Sequence, residues 1–166
     1  MPERETIRRA REDAREGKAP TTQAGEFVRE EIEHVREGKH GARSPEQAIA
    51  IGLSKARRAG VKLPPPAKGK AKPATRASAK RALKKARAGT KRKSPTRARA
   101  VKKALKREGR KAASPQALAR HAKTTQRRRT AAQRSAAARK AVQTKGPQGR
   151  AAAARKAART RARHGA

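Results

Sequence analysis

Apolar residues in the first sixty positions recur every three to four residues, the period of a helix with one buried face. Ile7, Ala10 and Ala14 predict a first helix from Glu3 to roughly Glu16, with Glu5 and Arg9 as a favourable i,i+4 pair. Ala24, Val28, Ile32 and Val35, with Phe27 beside them, predict a second, capped near Thr22 and stopped at Gly38. The third lies in HGARSPEQAIAIGLSKARRAG, His40 to Gly60, which holds the longest aliphatic run in the chain. There Ser44 is the cap, Pro45 takes the first helical position where its missing N–H costs nothing, and Gln47 completes an S-x-x-Q capping box. Ile49, Leu53 and Ala56 follow at i, i+4 and i+7, and Gly60 supplies a left-handed stop with Val61 placed to pack behind it. Val28, Ile32, Val35, Ile49 and Leu53 are the expected helix-packing contacts.

The pattern changes after Pro64, Pro65 and Pro66, which cannot continue a helix. Large apolar side chains thin out to Leu83, Val101, Leu105, Leu118 and Val142. Ala fills 30 of the 103 residues from 64 onward and Lys plus Arg fill 35, so helix formers abound while the side chains that hold helices together are scarce. Units opening at Ser44, Ser78, Ser94 and Ser114, three of them on Ser-Pro, read as an irregular series of short helix starts. The expected fold class is mostly α: a small, marginal N-terminal module of about three helices over residues 1–63, a Pro/Lys-rich linker over 64–76, and a long basic tail over 77–166, largely disordered or fluctuating helix when free. So few aliphatic side chains predict a module that gains from homodimerisation or from its ligand.

Charge sharpens this division. The 166 residues carry 49 Lys and Arg against 12 Asp and Glu, a net charge of +37. Residues 1–63 hold 14 of the bases and 11 of the acids; Glu108 is the one acid beyond them. A compact body so charged repels itself unless a polyanion neutralises it. With one Phe and no Trp or Tyr, the large side chains that form most base-stacking surfaces are missing, and the absence of Cys excludes disulfides and thiolate metal sites. The N-terminus, MPERETIRRARED, lacks a secretory apolar region, and Ala48 to Leu53 is far too short to span a bilayer. A soluble, intracellular protein with no membrane partner is expected.

The His40–Gly60 block resembles the signature of a family of small basic bacterial proteins of unestablished function, over about an eighth of the chain. The Ala/Lys/Arg/Pro-rich remainder is similar to the tails of linker-histone-like bacterial proteins. That resemblance implies DNA binding and compaction, with the protein cytoplasmic and on the nucleoid, and brings no catalytic residues. The winged-helix domain of eukaryotic linker histones has no counterpart in residues 1–63.

Phosphate neutralisation follows independently from the cations, since each Lys or Arg that meets a phosphate releases condensed counterions. The expected DNA-binding residues are Lys84, Lys85, Lys91, Arg92, Lys93, Arg97, Arg99, Lys102, Lys103, Lys106, Arg107, Arg127, Arg128, Arg129, Arg139, Lys140, Arg155 and Lys156, with Lys55, Arg57 and Arg58 as secondary phosphate ligands. Ser94-Pro95-Thr96-Arg97 matches a histone-tail turn that places a cation in a minor groove, but in so basic a chain an ordinary helix start is the simpler account of it. Glu31-x-x-His34 has helical metal-ligand spacing, but a carboxylate-bridged bundle needs two such pairs, so His34 reads as a solvated helix residue. His40, His121 and His164 have no paired carboxylate in sequence, no phosphate-cradling Gly loop occurs, and Asp13 is the single Asp. No catalytic residue, metal ligand, cofactor or small-molecule substrate is therefore expected, and the protein is not read as an enzyme. Sequence-nonspecific, linker-histone-like DNA binding is the leading reading. An RNA- or ribosome-associated protein stays open beside it, as does an adaptor whose N-terminal helices bind a protein partner while the tail anchors to polyanions.

Overall fold

The computed structural model describes residues 2–69, 71–88 and 94–164, and these are mostly α-helical with no strand among them. In chain order the helices are α1 (Arg4–Arg15), α2 (Pro20–Arg36), α3 (Pro45–Arg58), α4 (Pro73–Arg87), α5 (Pro95–Arg107), α6 (Pro115–Arg127) and α7 (Ala131–His164), with one 3-10 turn at Lys111–Ala113. The chain divides into two compact units, residues 1–121 and 122–166.

Local signals at the third predicted helix act as the sequence implies. Ser44 Oγ accepts from the Gln47 N–H at 3.3 Å, while the Gln47 side chain reaches one residue further back, to the Arg43 N–H at 2.8 Å. At the far end Gly60 adopts φ 97°, and the Val61 and Gly60 N–H groups donate to the Ala56 and Arg57 carbonyls at 3.1 and 3.2 Å. That is the Schellman pair of bonds, and Val61 packs in the same apolar cluster as Ala56. The helices at Gly17 and Gly38 end the same way. Two expected starts move. The second helix begins at Pro20, not near Thr22, because Pro at the first position supplies the helical φ without a side-chain cap. Ser78 lies inside α4, which Pro73 opens.

In the first unit α2 packs between α1 and α3, α4 lies on α3, and the 3-10 turn touches both α2 and α3. One apolar cluster joins Ala10, Ala24, Phe27, Ala56, Val61 and Leu63, with Ile7 and Leu53 against it; the other joins Val35, Ala42, Ala48, Ala112 and Ala113, with Ile32 against it. Of the expected packing residues, Val35 is fully buried, whereas Val28, Ile32, Ile49 and Leu53 are half-buried. Much of the core is Ala methyls, which demand close backbones. Gly52 shows how close: a Cβ there would stand 2.7 Å from Val28 Cα on α2.

The module is thus larger than three helices. Ala79 and Ala82 of α4 are buried, and Ala112 and Ala113 close the second cluster from a segment expected in the tail. Backbone hydrogen bonds hold that segment in place, from the Gly41 N–H to the Leu105 carbonyl at 2.9 Å and from Ala42 to Gly109 at 3.1 Å. The Glu108 carbonyl occupies the space a Cβ on Gly41 would need.

In the second unit α7 is helical, with a break at Gly146 (φ 61°, ψ 177°) just before Pro147. Its described side chains are almost all exposed, Val142 at 45% among them.

Candidate nucleic-acid interface

The expected phosphate ligands fall into three groups. On α4 and α5, Lys84, Lys85, Arg97, Arg99, Lys102, Lys103, Lys106 and Arg107 are exposed. On α5 the helical period sets Arg99, Lys102, Lys103 and Lys106 along one stripe, an arrangement that can track a row of phosphates. Arg127, Arg128, Arg129, Arg139, Lys140, Arg155 and Lys156 are exposed in the second unit, whose sequence contains no acid. Lys91, Arg92 and Lys93 lie outside the described residues.

The third group, on α3, has other partners. The buried Arg57 guanidinium donates from Nε to the Leu63 carbonyl at 3.2 Å and from Nη2 to Pro64 at 3.3 Å, tying the chain after α3 back onto the helix. Its burial lowers its pKa, because the charge has lost water. Arg58 Nε donates to the Ser54 carbonyl at 3.1 Å. Lys55 Nζ lies 2.6 Å from Glu31 Oε2 and 3.0 Å from Glu30 Oε1, and both carboxylates are buried. Lys55 and Arg57 therefore serve the fold.

The buried acids are the feature the helical pattern concealed. Glu30 Oε2 accepts from the Glu3 N–H at 3.2 Å, so the Glu30 carboxylate also anchors the start of α1. Burial pushes the Glu30 carboxyl up, but Lys55, Thr6 and the Glu3 N–H outweigh it and hold the group below its usual range. Lys55 is held above its usual value, burial opposing the change and Glu31 and Glu30 prevailing. Glu31 Oε1 lies 2.9 Å from His40 Nε2, and His34 Nε2 lies 2.9 Å from Glu3 Oε1. His40 thus has the carboxylate its sequence neighbourhood lacks, and His34 is 13% exposed, not solvated. His121 likewise meets Glu46, Nδ1 to Oε1 at 2.9 Å.

A shallow cleft missed by sequence reasoning lies where α2 and the 42–43 segment face residues 108–115. Arg36, Arg43, Arg110 and Lys111 line it, with Glu108 as their one acid, and Arg36 Nε donates to the Ala113 carbonyl at 2.9 Å. No periodicity brings these four cations together. The Gly41 and Ala42 hydrogen bonds to residues 105 and 109 do so. Ser114 Oγ beside the cleft accepts from the Ala117 N–H at 3.2 Å and caps α6.

No described helix is long and apolar enough to cross a membrane. Residues 21–70, which include α3 and all of α2 but Pro20, are similar to a family model described as a family of unknown function (DUF6496). No curated protein and no solved structure matches the chain.

Proposed function

We propose that the chain is a sequence-nonspecific DNA-binding, linker-histone-like protein of the nucleoid that acts by phosphate neutralisation and compaction. The observation that carries this reading is the exposed cationic side chains of α5 and α7, with no acid among residues 122–166 to compete for them. Cations spread around α7 leave it no apolar stripe, so this helix gains little from packing. Such a segment fluctuates when free and is held helical once phosphates neutralise it. The cleft with Arg36, Arg43, Arg110 and Lys111 gives the first unit a second place for the same backbone. Stacking on unpaired bases has no support in the side chains available, since neither Trp nor Tyr is present.

The test is a salt series on the full chain with duplex DNA, duplex RNA and heparin. Changing Arg155, Lys156, Arg159 and Arg161 together to Gln should flatten the log–log salt slope on DNA by about 3 to 4, at roughly 0.9 per phosphate contact. Lys55→Gln, whose cation is turned to Glu30 and Glu31, should leave the slope unchanged. An unchanged slope for the α7 quartet would remove that helix from the interface. Equal affinity for all three polyanions at matched charge would sink the DNA reading.

A further inference from the structure

We propose that Glu31, His34 and His40 form a site for one divalent transition-metal ion of the zinc class. One potential ligand atom from each of the three lies within 4.8 Å of the other two. Glu31 and His34 are three apart on α2 and therefore share a face. The left-handed turn at Gly38, φ 78°, then folds the chain back and sets His40 against them, the two rings edge to face at 87° with centroids 6.1 Å apart.

The hydrogen bonds around the cluster favour a cation at its centre. His40 Nδ1 lies 3.0 Å from the Gly41 carbonyl, which can only accept, so Nδ1 carries a proton. In the neutral ring Nε2 then has the lone pair, and it faces Glu31 Oε1, another acceptor, at 2.9 Å. Two lone pairs so close repel unless a second ring proton or a metal ion lies between them. A metal with bonds of about 2.0–2.1 Å to N and O spans a gap of roughly that size. A backbone carbonyl on the far nitrogen is also how metal-bound imidazoles are oriented. His34 has the other common partner, a carboxylate, with Glu3 Oε1 2.9 Å from Nε2, and this leaves Nδ1 as the ligand atom.

Glu31 is prepared for monodentate binding. Its Oε2 is fully buried, accepts no well-aligned hydrogen bond, and has the Lys55 ammonium 2.6 Å away, which leaves Oε1 for the metal. Charge fits as well. Glu3, Glu30, Glu31 and Glu37 meet Lys39 and Lys55, four carboxylates against two ammonium groups, and a dication balances the difference. Two imidazoles and one carboxylate suit Zn2+, Co2+ or Ni2+ better than Ca2+ or Mg2+, which prefer oxygen-only shells. His34 and His40 are 13% and 15% exposed, so water can complete the coordination. Bound there, the ion would pin the end of α2 to His40, next to Gly41, whose N–H donates to the Leu105 carbonyl.

The test uses the full chain, untagged and stripped with chelator, titrated with Zn2+ by calorimetry and with Co2+ by visible absorption. One Zn2+ per chain and a four-coordinate Co2+ spectrum are expected, with a rise in Tm on adding Zn2+. His34→Ala and His40→Ala should each weaken binding at least 100-fold and abolish the spectrum, while His121→Ala should change neither. Because His40→Ala removes a contact to Glu31, His40→Gln is compared with it, and circular dichroism of both should match the parent. Substoichiometric binding, or binding that survives His34→Ala and His40→Ala in folded protein, would overturn the site.

Discussion

Gly52 and Gly25 invite the same substitution with opposite results. Both are helical, and Gly→Ala inside a helix ordinarily gains about 0.8–1.0 kcal/mol. Around Gly25 a new Cβ meets nothing within 4 Å, so Gly25→Ala should realise that gain in full. At Gly52 the new carbon would stand 2.7 Å from Val28 Cα and 2.9 Å from both the Phe27 carbonyl oxygen and the Val28 nitrogen. Carbon atoms in contact prefer about 3.5–4.0 Å, so α3 must move off α2 by roughly 1 Å. The obstruction is backbone, which no rotamer change relieves. Overpacking costs about 1–3 kcal/mol, and at the upper end of that range Gly52→Ala loses about 2 kcal/mol net of the helical gain. In calorimetry that is a fall in Tm of roughly 8 °C, against a rise of about 4 °C for Gly25→Ala. Amide exchange of α2 and α3 separates the effect from any change in α7. If Gly52→Ala stabilised the protein as much as Gly25→Ala, the close crossing of α2 and α3 would be wrong.

The buried charges give two further expectations. Lys55→Met strands the Glu30 and Glu31 carboxylates and should cost about 3–5 kcal/mol in urea unfolding; adding Glu30→Gln and Glu31→Gln should recover most of it, and no recovery would mean that lost packing is responsible. Glu30 has a folded-state pKa below its unfolded value, so its contribution is complete above about pH 4.3 and is lost as pH falls through the lower folded value. Tm should therefore drop below that pH less steeply in Glu30→Gln than in the parent, and parallel curves would exclude Glu30 as a source of acid lability.

Helix ends were legible because each depends on a residue with few alternatives. Pro45 and Gly60 announce a start and a stop whatever surrounds them, and α3 runs Pro45–Arg58 accordingly. The extent of the folded unit was not legible, because Ala79, Ala82, Ala112 and Ala113 look the same as the exposed alanines of α7. A methyl group is core or surface depending on what approaches it, and no pattern of apolar residues encodes that. Glu30 and Glu31 were hidden for the complementary reason: among Glu26, Glu33 and Glu37 they read as part of a solvated face, and Lys55, their counter-ion, lies a helix away. The exposed cations of α5 and α7 were legible from charge alone, whereas Lys55 and Arg57 looked identical to them in sequence and are turned to partners within the fold.

The bonds from Gly41 and Ala42 to carbonyls at positions 105 and 109 also set an order in time. During synthesis, the pocket formed by Val35, Ala42 and Ala48 stays open until Ala112 and Ala113 have been made. At about 5–20 residues per second this lasts on the order of 3 to 13 seconds. Throughout that interval the nascent chain presents an uncovered apolar surface beside a growing run of positive charge. A version ended in the Pro64–Pro66 stretch would remain in that unfinished state permanently. The compact unit that holds this pocket therefore extends beyond Ala113 and does not end at the prolines.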